Sequence, residues 1–392
     1  MGIRDSAFTG VQVAEESAVG HSMSLGDRLL AWRDRIQTSK WFQKWAASFP
    51  LTRPIALRRS QALFDLTAGF VYTQTLTACV RLGLPDFLAV RPRSLAEVAA
   101  FSGLPIEETD RLLRAAMALK LVQRRSAGRY GNGTIGVPLI GNIAITRMIE
   151  HNALLYEDLR DPIALLMNTS NSNRSVLGHF PYTSVTNPEL FDRGVVQEYS
   201  SLMADTIEPV AREVLNTYSL SSYSLLLDVG GGEGSFLVAV AERYPSIKMQ
   251  LFDLPAVVEG ASTRLERAGC LDRVELHSGN FHSDPLPTGA DVISLVRVLL
   301  DHDDQSVLSL LKKIRKTLSS RGVLLVVEPF AGVRGAEVVG DAYFGMYLRA
   351  MGRGRARTVA DIKSLLTQAG FGSSRVVKTR YPVYAGLIVA TS

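Results

Sequence analysis

Asp228 and the glycines that follow it form the densest chemical signal in the chain. Asp228 sits in an apolar run, Leu225–Val229, and Gly230, Gly231, Gly232 and Gly234 come directly after. A short apolar run of this kind reads as a strand covered on both faces. The glycines allow backbone angles that a Cβ forbids and let a ligand approach the main chain. The helix-capable segment from Ser235 to about Arg243 then offers its free N–H groups to that ligand. A second strand, 248–252, runs into Asp253. An acid at that point is placed to accept hydrogen bonds from a ribose diol.

The spacing narrows the ligand. Gly230–Gly234 is one residue too short for the dinucleotide fingerprint G-x-G-x-x-G, and no G-x-x-x-x-G-K-[ST] occurs. Asp228, Gly232 and Asp253 together suit an adenosine cofactor without a pyrophosphate, namely S-adenosylmethionine (SAM). The alternative is a tight strand–helix turn that holds no ligand.

Four ordered segments carry a resemblance: LLLDVGGGEGSF (225–236), LFDLP (251–255), SGNF (278–281) and VVEPFAG (326–332). They resemble the motifs of the plant-type O-methyltransferase family, from about Leu63 to the C-terminus. The resemblance implies an α/β fold: a Rossmann-like class I SAM methyltransferase sheet behind an all-helical or winged-helix dimerisation domain, in a homodimer. GDAYFGMYLRAMGRGRARTVADI (340–362) and RVLLDHDD (297–304) look most like the bacterial carotenoid 1-hydroxyl O-methyltransferases. The implied acceptor is the tertiary hydroxyl of an acyclic carotenoid such as demethylspheroidene or hydroxyneurosporene. Two rivals stay open. One is a methyltransferase acting on a bacteriochlorophyll precursor or a polyketide phenol. The other is a SAM-sensing winged-helix regulator, which would bind DNA with a steep salt dependence.

Residue roles follow from the resemblance. Gly230 and Gly232 are expected beneath the methionine part of SAM, Asp253 on the ribose and Leu254 beside the adenine. Asn280 stands where the family has the Asp of a GDMF motif, with Phe281 as its apolar neighbour. An amide can still accept through its carbonyl oxygen. Arg297 is expected near the cofactor carboxylate, with a solvent-facing arginine as the alternative. The family base, the histidine of H-D-W-x-D, aligns with Leu300, and Asp301 matches the Asp. His302, two places later, is either a shifted base or a helix-start residue that solvates Asp303 and Asp304. Glu328 matches an acid that orients the base and could itself take the proton. A tertiary alcohol does not ionise before transfer, so general-base help is modest. Holding its oxygen in line with the methyl and excluding water supplies the larger share. Tyr343, Phe344, Met346, Tyr347 and Met351 offer aromatic and apolar wall material, or simple core.

These residues need elements to hold them. At 392 residues the chain exceeds a single core. The expected division is an arm over 1–59, a helical or winged-helix domain over 60–205 and a SAM-binding domain over 206–392. In the last, strands are predicted at 225–229, 248–252, 273–277, 291–296 and 322–327, alternating with helices, which gives a parallel sheet. Arg375–Lys378 and Ala385–Ala390 read as an antiparallel hairpin at its edge. Upstream, Ser94–Glu97 is a capping box opening a helix to Phe101. Glu107–Leu119 has helical spacing, and Leu121-Val122 with Tyr130 suggests a small β-wing. Such a unit can bind DNA. The resemblance implies dimerisation and closure of the substrate pocket instead, with no nucleic acid. Asn168–Ser175 reads as a polar loop.

Charge is concentrated in the arm. The chain is +5 overall, while residues 25–59 carry eight basic side chains against two acids and all three tryptophans, Trp32, Trp41 and Trp45. Basic residues interleaved with aromatics suit an anionic membrane surface; the alternative packs the tryptophans on the main body. No apolar run approaches the roughly 20 residues needed to span a bilayer, and no signal-peptide pattern opens the chain. Cys79 and Cys270 are the only cysteines and no zinc spacing occurs among the six histidines. The expectation is a cytoplasmic protein with peripheral membrane contact through the arm and no metal.

Overall fold

The computed structural model describes residues 24–167 and 193–391, with backbone alone over 193–199. The predicted polar loop Asn168–Ser175 lies outside the described residues. The chain divides into two compact units, Met1–Gln74 and Thr75–Ser392.

The first unit is helical: α1 (Leu25–Thr38), α2 (Lys40–Ser48) and most of α3 (Arg53–Arg81). Ser24 and Ser39 cap the first two helices by accepting from the N–H groups of Asp27 and Phe42. Neither helix buries a residue. Trp32 is 63% and Trp41 73% exposed, and Trp45 stacks on Phe49 at 5.1 Å. Most of the apolar side chains of residues 24–59 therefore face outward.

The second unit opens with α4 (Leu84–Val90), α5 (Leu95–Ser102) and α6 (Ile106–Ala118), followed by the antiparallel pair β1 (Val122–Arg124) and β2 (Tyr130–Asn132). The predicted capping box is present: the Ser94 hydroxyl accepts from Glu97 N–H, and Glu97 accepts from Ser94 N–H. Leu84, Leu88, Val98, Leu113 and Tyr130 fill a small core. Then come α7 (Ile143–Asp158), α8 (Pro162–Met167) and α9 (Arg193–Thr217).

A seven-stranded sheet follows: β3 (Leu225–Val229), β4 (Lys248–Asp253), β5 (Val274–Ser278), β6 (Val292–Val296), β7 (Val323–Glu328), β8 (Ser373–Val377) and β9 (Gly386–Thr391). Its helices are α10 (Ser235–Arg243), α11 (Pro255–Arg267), α12 (Asp304–Thr317), α13 (Phe344–Met351) and α14 (Val359–Gln368). Successive strand residues feed opposite layers, as the pleat requires. Leu226 joins Phe236 and Val240 on one face, and Leu227 joins Leu310 and Ile314 on the other. Full burial of such a leucine stabilises the fold by about 1.5–3 kcal/mol.

The strand order is β5-β4-β3-β6-β7-β9-β8, with β5 to β7 parallel and β9 antiparallel to both its neighbours. The closing hairpin is thus not a simple addition at the rim, because its last strand inserts between β7 and β8. The order also fixes the site. Ligands in open sheets bind beyond the carboxyl ends of the strands. There Asn280, Asp253, Gly230 and Arg297 stand at or just past the ends of β5, β4, β3 and β6, in that spatial order.

Candidate active site

Beyond those strand ends lies a cavity. Asp228, Gly230, Gly232, Asp253, Leu254, Asn280, Phe281, Arg297 and His302 all line it. Of the predicted site residues, only Glu328 is absent from its wall.

The glycine turn is shaped by two requirements. Gly230 and Gly232 have φ of +68° and +58°, the left-handed region that glycine reaches without strain. A Cβ on Gly230 would also stand 2.8 Å from Val298 Cγ2, whereas one on Gly232 would meet nothing within 4 Å. The first glycine permits packing and the second leaves the cavity floor open. Asp253 laces the turn to the next strand, its Oδ2 accepting from Gly232 N–H at 2.8 Å and its Oδ1 from Leu254 N–H at 2.7 Å. Burial pushes its carboxyl up to about 6, against the pull of those two N–H groups. Asp228 Oδ1 accepts from the Ser294 hydroxyl at 2.5 Å. Burial pushes this carboxyl up to about 7. Asp228 Oδ2 and Ser235 Oγ are buried with no hydrogen-bond partner among the described residues, and both residues line the cavity. Buried polar atoms are normally paired. Two orphans beside an open glycine floor fit a polar ligand of SAM's kind.

At the β5 end, Asn280 Oδ1 accepts from His282 N–H at 2.9 Å, leaving one oxygen lone pair for a ligand. The Phe281 ring lies 4.5 Å from His282 and 5.1 Å, edge-on, from His302. His302 is therefore not the helix-start group that solvates the following acids. Asp303 alone caps α12, accepting from Ser306 N–H at 2.8 Å. The His302 imidazole instead turns into the cavity wall. Burial, then the neighbouring His282, push its pKa down to about 4.

At the β6 end, Arg297 adopts φ +58°, an uncommon conformation for a residue with a Cβ. The solvent-facing alternative does not hold. Its Nη1 donates to Thr206 Oγ1 at 2.8 Å, and its guanidinium lies 6.0 Å from the Phe344 ring. Leu300 is 6% exposed, lines the cavity and shares a small apolar cluster with Leu155, Tyr347 and Met351. Glu328 lies behind this turn. Its Oε1 accepts from Val298 N–H at 3.0 Å and Leu299 N–H at 2.7 Å. Burial, reinforced by Asp301, pushes its carboxyl up to about 8. Its place is that of a brace for the 298–301 turn, without a face on the cavity.

Sequence reasoning missed three contributors. Arg357, 3% exposed, donates to Leu299 O and His302 O, both at 2.6 Å, and to Asp304. Beside it, a Cβ on Gly354 would stand 2.0 Å from Leu300 O. The stretch from Gly354 to Arg357 is thus a clamp on the turn, which no local pattern announces. Glu233 lines the cavity and pairs with Arg264 at 2.9 Å. Finally, α9 supplies Ser200, Met203, Ala204 and Ile207 to the wall. Their i, i+3, i+4, i+7 spacing was a readable signal.

The sheet order and the donor cradle define a methyltransferase-type α/β site. The chain belongs to the O-methyltransferase family: residues 156–372 match its O-methyltransferase domain and 64–140 its O-methyltransferase dimerisation domain. It is an enzyme of that class, and the second domain supports a homodimer. The chain is 38% identical to demethylspheroidene O-methyltransferase of Cereibacter sphaeroides, over 91% of this chain and 93% of that protein. It is 36% identical to the protein of the same name from Rhodobacter capsulatus, over 91% and 88%. Human N-acetylserotonin methyltransferase, solved in complex with SAM, superposes with a TM-score of 0.73 at 26% identity, over 85% of this chain and 97% of that one. Among the described residues no helix is long and apolar enough to cross a membrane.

Proposed function

We propose that this chain methylates the tertiary 1-hydroxyl of an acyclic carotenoid, demethylspheroidene or hydroxyneurosporene, with SAM as donor. The kinship over nine-tenths of the chain to two demethylspheroidene O-methyltransferases carries the assignment. Leu300, a buried leucine where the family resemblance puts the base, agrees with it.

When bound, SAM supplies a methyl group on a cationic sulfur. The chain's residues do the rest. Asn280, Phe281 and Leu254 flank the adenine, Asp253 takes the ribose, and Gly230 and Gly232 lie under the methionyl chain, with Arg297 and Asp228 at its polar end. His302, set against Phe281 and His282, belongs with the adenine end and not with proton transfer. Glu328 positions Leu299 and Leu300 by holding the turn. Met203, Leu300, Phe344 and Tyr347 form an apolar wall that excludes water and orients the alcohol, which is where the rate enhancement arises.

The 1–59 arm contacts an anionic membrane, from which a lipid-soluble acceptor is drawn. Its exposed tryptophans and the surplus of six positive charges over residues 25–59 support this. Residues 60–205 pair two copies, and 206–392 bind the donor. Transfer of radiolabelled methyl to hydroxyneurosporene, run beside a phenol panel, tests the assignment. Transfer to phenols with none to the carotenoid would refute it. Deletion of residues 1–59 is expected to weaken co-sedimentation with anionic vesicles; unchanged co-sedimentation would refute the membrane role.

A further inference from the structure

The turn that carries Leu300 puts a leucine where the resemblance expects the base, and a hydroxyl–imidazole pair stands beside it, its tyrosine in the same apolar cluster. Tyr347, on α13, lines the cavity and is 5% exposed. Its hydroxyl lies 3.0 Å from Nε2 of His151, on α7, a residue 196 positions away in the sequence and itself 9% exposed. Tyr347 and Leu300 belong to one cluster with Leu155 and Met351. The Tyr343 hydroxyl, one residue before α13, donates to Asn152 Oδ1 at 3.0 Å, so two phenol hydroxyls pin this segment to α7.

We infer that Tyr347 is the residue that hydrogen-bonds the acceptor hydroxyl, and that it passes the departing proton to His151. The inference rests on the acceptor being an alcohol, as proposed above. The alcohol oxygen forms a bond to the methyl carbon while the methyl–sulfur bond breaks, its electron pair staying on sulfur. The alcohol's proton goes to Tyr347 Oη as that group's own proton goes to His151 Nε2, which later returns it to water. Charge is conserved: the positive charge that leaves sulfur ends on the imidazole. An alkylated alcohol oxygen is a far stronger acid than an imidazolium, so the transfer runs downhill even though burial holds the His151 pKa below its ordinary value. The relay requires Nε2 to be an acceptor, with the ring proton on Nδ1. A neutral tyrosine–imidazole pair also avoids placing a permanent charge beside a polyene.

Tyr347→Phe keeps the ring and removes only the hydroxyl. His151→Gln keeps a polar side chain that cannot take a proton. Both are expected to lower kcat on the hydroxylated carotenoid at least tenfold, with KM for the carotenoid and calorimetric affinity for S-adenosylhomocysteine each within threefold of wild type. Nitrogen-15 histidine spectra of the ligand-free protein supply a readout apart from turnover. His151 is expected as the Nδ1–H tautomer, with its Nε2 resonance moving on Tyr347→Phe. Variants with wild-type kcat, or a His151 protonated on Nε2, would overturn the relay while leaving the carotenoid assignment standing. Wild-type protein that transfers no methyl to the alcohol would overturn the assignment and the relay with it.

Discussion

At the donor end of the cavity, the hydrogen bond from Gly232 to Asp253 spans 21 positions, and strand, turn and helix follow one another without interruption. At the acceptor end, Tyr347 reaches His151 across 196 positions. The donor is held by backbone shape, which glycines and a few acids dictate locally. The acceptor is held by side chains that meet only once α7, α9 and α13 have packed beyond the sheet. The first is a property of one supersecondary unit, and the second belongs to the folded domain as a whole. Donor binding and acceptor handling should therefore fail separately under mutation.

The largest separation is expected from Asp253→Ala, which strips the acceptors from two N–H groups. Each unsatisfied donor costs about 1–3 kcal/mol. S-adenosylhomocysteine affinity, measured by calorimetry, should fall at least a hundredfold, while the His151 spectrum stays as in wild type. Retained affinity would mean that the ribose lies elsewhere. Gly230→Ala touches both ends, since its φ of +68° is unfavourable for alanine and its Cβ meets Val298. It should lower donor affinity about tenfold and reduce stability by about 1–2 kcal/mol. Unchanged binding and melting would show that the turn tolerates a side chain. Arg357→Ala should act more on the acceptor end, lowering kcat about tenfold with donor affinity within threefold, because the clamp holds Leu299 O beside Leu300 as well as His302 O at the adenine end. Loss of donor affinity in that variant would show that the two ends are coupled.

The smallest effect is on the pH dependence of stability. Glu328 holds a carboxyl raised to about 8, so the stability linked to it is full below its ordinary pKa of 4.5 and is lost as pH rises toward 8. Glu328→Gln, which can still accept from Val298 and Leu299, should gain on wild type progressively across that window. His302 works the other way. Its pKa is lowered to about 4, so wild type loses stability as pH falls from 6.5 toward 4. His302→Phe should remove that loss. Urea unfolding at a series of pH values reads both, and a constant offset between variant and wild type would contradict the burial of either group.

Legibility in the sequence followed the same divide. The five parallel strands were predicted to within a residue; β3, β6 and β7 are written as buried apolar runs, while β4 and the edge strand β5 are interrupted by polar residues. The helix over Ser235–Arg243 and the Ser94 capping box were equally readable, since their signals are local. The cavity residues Asp228, Gly230, Gly232 and Asp253 followed from the same turn. Around the acceptor, the sequence offered Tyr347 as wall material and left His302 with two roles, neither of them its setting against Phe281 and His282. Glu328 was offered as an acid that orients a base or takes the proton itself, and its Oε1 accepts from Val298 and Leu299 N–H behind the turn. Arg357 and His151 gave no signal, because a buried arginine between two carbonyls and a buried histidine under a tyrosine are decided by which helices meet. No local pattern encodes that meeting.

A crystal structure with S-adenosylhomocysteine bound tests the arrangement most directly. The thioether sulfur is predicted to point at Leu300 and Tyr347, with the ribose on Asp253 and the adenine between Leu254 and the Phe281–His302 pair. A sulfur facing His302, with adenine lying toward Tyr347, would contradict the assignment of the two ends.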